Sequence, residues 1–171
     1  MVGKNQIKQI KSLHQKKNRW AEKAFIVEGH KTINTLLEYG LTLHWLGGTA
    51  DQQHRFVTPE FHVLSPQQLK QVSAMTTPPG SLAVFAIPVS TSLPSQGWIV
   101  AIDEVQDPGN LGTIIRLCDW FGIEDLVCSI GTVDAYNPKT VQASMGSLAK
   151  VKVHYTELTD WLSQTDLPIY G

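Results

Sequence analysis

The densest run of chemistry-bearing side chains is Ile102-Asp-Glu-Val-Gln-Asp-Pro-Gly-Asn-Leu-Gly-Thr-Ile-Ile-Arg116, in which polar and turn-forming residues follow directly on an apolar, strand-like segment. In open parallel sheets, ligands collect beyond the carboxyl ends of the strands, so this position suits a site. Asp107-Pro108-Gly109 reads as a tight turn there, and Asn110 as the N-cap of the following helix. Asn110 is open to two readings, a plain cap or a working amide. Arg116 offers a permanently charged, bidentate donor, and periodicity by itself leaves a surface or salt-bridged arginine equally open.

Other chemistries find less support. The six histidines (His14, His30, His44, His54, His62, His154) are dispersed, with no H-x-x-x-H pair and no Cys/His cluster, so no metal site is expected. Ser144 and Ser147 have no evident His and Asp companions for a hydrolase triad. Gly109 and Gly112 alone do not make the G-x-G-x-x-G of a dinucleotide-binding enzyme. Cys118 and Cys128 each lie inside an apolar segment, which suits buried, reduced thiols.

The elements that must position this run can be read from hydrophobic period and turn residues. A short helix is expected at Asn5–Leu13, with Ile7, Ile10 and Leu13 on one side, then a polar break over His14–Arg19. Strands are expected at Phe25–Val27, Leu41–Leu46, Phe61–Leu64 and Leu82–Ile87. Between them come a helix carrying Ile33, Leu36 and Leu37, closed by Gly40, and a second at Pro66–Val72. Trp45 is a core candidate. Pro88–Gly97, with two prolines and small hydroxyl residues, is the best linker. Beyond it the order is strand (Trp98–Ile102), helix (Asn110–Phe121), strand (Leu126–Ile130), helix (Pro138–Ser147), strand (Val151–His154), helix (Glu157–Ser163) and a strand starting at Leu167. This alternation predicts an α/β chain: a small domain over 1–88, a linker over 89–97 and a parallel-sheet domain over 98–171.

The helix after Asn110 is apolar on more than one side. Leu111, Ile114, Ile115, Cys118 and Phe121 form a stripe expected to face the sheet, while Thr113, Leu117 and Trp120 form a second. The second stripe, beside Arg116, calls for a further packing partner, and another subunit fits best.

The 171-residue chain carries a net charge of −1, but the charge is unevenly placed. Residues 1–31 hold eight Lys and Arg against Glu22 and Glu28, a local +6 that leaves −7 for the rest. A basic arm of this kind attracts phosphate through a sequence-independent term that weakens with salt, although a solvated lysine-rich face is an equally common reason for one. No apolar run approaches the roughly 20 residues of a membrane helix, and no signal peptide is evident, so a cytoplasmic protein is expected.

Asp103-Glu-Val-Gln-Asp-Pro-Gly-Asn-Leu-Gly-Thr-Ile-Ile-Arg116, followed by Trp120-Phe-Gly122, resembles the first signature motif of the SpoU (TrmH-like) branch of the SPOUT methyltransferases. Asn137-Pro-Lys139 and Ala143-Ser-Met-Gly-Ser147 resemble the next motif. Ile10–Lys17, Phe25-Ile-Val-Glu-Gly29 and Pro79–Val84 are similar to the RNA substrate-binding domain that precedes it in many members. The resemblance implies an α/β knot (SPOUT-type) catalytic domain, S-adenosylmethionine as cofactor, an RNA substrate that is ribosomal by expectation, methylation of a ribose 2′-hydroxyl, and a homodimer.

Residue by residue, the resemblance puts Asn110 and Arg116 in the active site. With the charge pattern, it makes Lys11, Lys16, Lys17, Arg19, Glu28 and Lys31 the expected RNA-binding residues. Because the reference pKa of a guanidinium lies above about 12, holding a phosphate or the ribose is a cheaper role for Arg116 than acting as the base. Two departures accompany the resemblance: Gln142 stands where many relatives have arginine, and the family's cofactor pocket is built by segments beyond the point matching Gly171. The chain is therefore expected to behave as a partial enzyme with weak cofactor binding, and an RNA-binding module without catalysis is the alternative reading.

Overall fold

The computed structural model describes residues 2–58, 60–89 and 92–171. The chain runs α1 (Lys4–Ser12), α2 (Lys16–Glu22), β1 (Ala24–Glu28), α3 (His30–Glu38), β2 (Leu43–Gly48), β3 (His62–Val63), α4 (Pro66–Val72), β4 (Ser81–Ala86), β5 (Ile99–Ile102), α5 (Pro108–Trp120), β6 (Asp125–Ser129), α6 (Pro138–Ser144), β7 (Lys152–Thr156) and α7 (Leu158–Gln164). The first four strands form a mixed sheet in the order β1-β4-β2-β3, with β4 antiparallel to both neighbours and β3 parallel to β2. The last three form a parallel sheet, β5-β6-β7.

The first sheet is buried on both faces, and the two-residue period of a strand divides its side chains between two cores. Phe25, Val27, Leu46, Ala83 and Phe85 point into one core together with Ile33 and Leu36 of α3. Ala24, Ile26, Trp45, Leu82 and Val84 point into the other, with Ile7, Ile10 and Leu13 below and Leu69 and Val72 of α4. The first of these cores continues without interruption into the second sheet through Leu111, Ile115, Leu126, Cys128 and Tyr136. Residues on both sides of the 88–97 stretch thus share one apolar interior.

Local chemistry explains most boundaries. Ser65 and Gln68 form a reciprocal capping box ahead of α4 with Pro66 at its first position. Gly40 (φ +76) and Gly122 (φ +69) close α3 and α5 in paired bonds of the Schellman type: Leu41 N–H to Leu36 O with Gly40 N–H to Leu37 O, and Ile123 N–H to Cys118 O with Gly122 N–H to Asp119 O.

Several expectations need correction. The break over His14–Arg19 is largely helix, because the chain turns after Leu13 and restarts as α2 at Lys16. The helix expected to reach Ser147 ends at Ser144, where Met145 takes a left-handed conformation (φ +51) before a 3-10 turn at Ser147–Ala149. Phe121 is 72% exposed, because it caps α5 and no longer follows the helical period. No strand begins at Leu167; residues 165–171 carry neither helix nor strand. In the expected linker, Ser90 and Thr91 lie outside the described residues, and Ser92–Gly97 is irregular.

Candidate functional site

α5 starts beyond the carboxyl end of β5, and its first turn is set by Asp107, not Asn110. The Asp107 carboxylate accepts the Asn110 N–H at 2.8 Å, with Pro108 at the first helical position. This corrects the cap assignment and leaves the Asn110 side chain, which is exposed, without a capping duty. Thr113 Oγ1 donates back to Gly109 O at 2.9 Å. Arg116 is exposed two turns along. Six residues of helical rise separate it from Asn110 by about 9 Å along the axis, on different sides of the helix. The fold therefore does not bring the two into contact, and a substrate meeting both must extend along α5.

Around Arg116 lies an open groove of about 750 Å³ lined by Thr113, Leu117, Trp120, Met145 and Lys150. The second apolar stripe of α5 faces it: Leu117 is 51% and Trp120 84% exposed. Lys150 forms an ion pair with Asp119 at 3.0 Å and lies over the Tyr39 ring at 5.1 Å. The hydrogen bond to Asp119 holds the Lys150 ammonium above its ordinary pKa. Ser147 Oγ donates to the same Asp119 carboxylate at 2.8 Å, and buried Ser144 donates to Val141 O, so both serines serve the scaffold. Lys150 and Asp119 were not among the sequence candidates, because 31 residues of chain separate two groups that only the packing of α5 and the 147–149 turn brings together.

The loops past β5 and β6 hold each other. Glu104, at a left-handed φ of +46 that costs on the order of 1–3 kcal/mol for a side-chain-bearing residue, donates its N–H to Ser129 Oγ at 2.8 Å. Gln106 Nε2 donates to Gly131 O at 2.7 Å, and Val133 N–H donates to Val105 O at 2.9 Å. Strain of this kind persists where surroundings over-determine it and is common beside ligand clamps. Asp103 and Glu104 remain exposed at this rim.

Of the six residues expected to bind RNA, Lys11, Lys16, Lys17 and Lys31 are exposed, so four are free to meet a polyanion. Arg19 is 2% exposed, and its guanidinium is spent internally, on Asp134 at 2.6 Å and on the carbonyls of Leu13 and His14 at 2.9 Å. It cannot also serve a phosphate at the surface. Glu28 is 8% exposed, and its carboxylate accepts from Ser73 Oγ and from Ala74 N–H at 2.7 Å. Four histidines are engaged locally: His14 with Val72 O, His30 with Arg55, His62 with Glu60 and the Trp45 ring, and His154 with Asp125. Among the described residues, no three His, Cys, Asp or Glu side chains gather to hold a metal. Both cysteines are buried and free.

Residues 97–170 match the SpoU rRNA Methylase family, and residues 4–83 the MRM3-like substrate binding domain. The chain is 32% identical, over 98% of its own length and 70% of the relative's, to the 23S rRNA (guanosine(2553)-2′-O)-methyltransferase RlmP of Bacillus subtilis. Among solved structures, a TrmH-family protein from Porphyromonas gingivalis superposes with a TM-score of 0.87 at 40% identity, over 95% of this chain and 66% of that one. The SpoU methyltransferase AviRb of Streptomyces viridochromogenes, solved with AdoMet, superposes at 0.80 and 25% identity, over 95% of this chain and 68% of that one. The chain thus spans about two thirds of the length of the proteins it matches. With both of its halves matched and this identity running from end to end, the chain belongs to the SpoU rRNA methylase family.

Proposed function

We propose that the chain binds RNA and carries catalytic residues of an S-adenosylmethionine-dependent RNA ribose 2′-O-methyltransferase acting on ribosomal RNA in the cytoplasm. The observation that carries this reading is the placement of exposed Asn110 and Arg116 on a helix that rises from the carboxyl end of a parallel strand, in a chain whose only densely basic stretch presents free lysines. Residues 1–88 bind RNA, 89–97 link, and 98–171 contribute to catalysis. The exposed α5 face beside Arg116 packs on a second copy of the chain, making a homodimer.

When bound, S-adenosylmethionine supplies an electrophilic methyl group on a sulfonium. The acceptor character of the exposed Asp103 and Glu104 carboxylates suits the hydroxyls and ammonium of that molecule. The chain's own residues act on the RNA side. Arg116 holds a phosphate in a two-pronged grip and fixes the ribose. The Asn110 amide, released from capping by Asp107, aligns the 2′-hydroxyl. Orientation of this kind can supply several kcal/mol of the barrier reduction.

The test is transfer of a tritiated methyl group to ribosomal RNA by the chain, with the product mapped to a ribose 2′-oxygen. Arg116→Ala and Asn110→Ala should each cut incorporation at least about 100-fold while RNA binding persists. RNA binding with no methyl transfer under any cofactor concentration would leave the binding-module reading in its place.

A further inference from the structure

A cavity of about 210 Å³ opens at the seam between the first sheet and α6. It lies below the roughly 300 Å³ at which pockets for drug-sized ligands begin, so it has room for one flat heterocycle and little else. Its lining is largely apolar: Ile26 from β1, Met75 from the loop after α4, and Pro138 and Val141 from α6. The Glu28 carboxylate, buried at the end of β1, is the anionic group on its lining. Lys139 also lines the cavity and is exposed to solvent.

The state of Glu28 is the informative feature. A buried carboxylate is costly unless paired or well hydrogen-bonded. Here the donors are neutral, the Ser73 hydroxyl and the Ala74 N–H, and among the described residues no lysine, arginine or histidine forms an ion pair with it. A carboxylate has about four acceptor positions, so two donors leave capacity for a ligand offering a pair of N–H groups. Guanine is the base whose Watson–Crick edge presents two adjacent donors, N1–H and N2–H, in the spacing of a carboxylate's two oxygens. Single-stranded RNA is read in this manner, by splaying a base out, stacking it and bonding its edge.

We infer that the seam cavity captures one unstacked guanine of the substrate RNA, with Glu28 reading its Watson–Crick edge and Lys139 meeting the attached phosphate. The inference rests on the reading of the chain as an RNA-binding protein and adds the base that it reads. Residues from both halves build the cavity, so recognition of that base would depend on their being docked, with the RNA fixed relative to α5.

The test is a methyl NMR titration of the whole chain with GMP, AMP, CMP and UMP, following Met75. GMP should shift the Met75 methyl at millimolar concentration, with the other three at least about 10-fold weaker. Glu28→Gln, which keeps the acceptor for Ala74 N–H but presents an amide, should abolish the preference. Lys139→Gln should weaken all four nucleotides alike. Should Glu28→Gln fail to fold, Gln142→Trp, an exposed position at the same cavity, should block GMP by steric filling. Equal binding of the four nucleotides, or GMP binding indifferent to both Glu28→Gln and Gln142→Trp, overturns the inference. Salt-dependent binding of structured RNA, measured in parallel, separates the two ideas. If it persists without a guanine preference, only the cavity assignment falls. If it is absent while GMP is still selected through Glu28, the RNA reading falls instead.

Discussion

Arg19 and Asp134, 115 residues apart in sequence, meet in a buried ion pair with Nη2 and Nε donating to one carboxylate oxygen at 2.6 and 3.0 Å. The other Asp134 oxygen accepts Tyr136 N–H at 3.0 Å, and Arg19 Nη1 donates to both Leu13 O and His14 O. The pair pins α2 to the loop after β6, next to the ring contacts of Tyr136 with Phe25 and Trp20. That same loop bonds to Val105 of the motif segment, so the pair joins the half that matches the MRM3-like substrate binding domain to the half that matches the SpoU family.

Removing one member leaves an uncompensated buried charge. Arg19→Ala or Asp134→Ala should each lower stability by about 3–5 kcal/mol, and the double variant Arg19→Met/Asp134→Leu should recover only part of that loss, because Tyr136 N–H and the Leu13 and His14 carbonyls lose their partners. Urea denaturation of the four proteins provides the check. Single losses below about 1 kcal/mol would mean that the pair is not the clamp described.

The free lysines should reveal themselves through salt. Each of Lys11, Lys16, Lys17 and Lys31 that contacts a phosphate should reduce the slope of log K against log salt by about 0.7–0.9 when changed to Gln. The folded Arg19→Met/Asp134→Leu protein should keep the wild-type slope. A slope lost with Arg19 would contradict its internal placement.

α5 and α6 approach at Gly112, where an added Cβ would lie 2.4 Å from Ala143 Cβ and 2.9 Å from its backbone. Gly112→Ala should therefore cost about 1–3 kcal/mol through overpacking. Adding Ala143→Gly relieves the side-chain clash and not the backbone one, so a thermal melt of the double variant should show only partial recovery.

The exposed apolar face of α5 predicts self-association. Trp120→Asp together with Leu117→Asp should shift a dimer to monomer in sedimentation velocity with an unchanged far-UV spectrum. A wild-type chain that stays monomeric at 100 µM (a concentration of order 10⁻⁴ M, weak even for transient contacts) would refute the subunit assignment.

Burial pushes the Cys128 thiol up to about 12 and raises Cys118, Tyr136 and Tyr155 as well. Native protein holds these protons after the unfolded chain has begun to release them. The stability they contribute is fully present below the unfolded thiol pKa of 9.0 and is lost as pH rises through the folded values. The urea midpoint should fall above pH 9, each ionising group adding up to about 1.4 kcal/mol per pH unit. At pH 8, a thiol reagent should label neither cysteine until the protein is unfolded.

The sequence by itself determined the kind of fold and the place of the family's signature run. The alternation of period-2 and period-3.6 apolar runs located β1 through α7 to within a few residues, since burial of one face imposes those periods. The run from Asp103 to Arg116 marked the family's signature because its residue types and order are carried by the chain itself. What only the tertiary structure decided are relations between distant segments. Arg19 looked like one more surface cation until the loop after β6 delivered Asp134 to it. Glu28 became a lining group of a cavity only once α6 packed across β1. Asn110 lost its cap to Asp107 by the choice of one rotamer and one turn, and Phe121 left its stripe because Gly122 closed the helix one residue earlier. Desolvation and pairing act through space, and no local period in the chain encodes which partner will arrive.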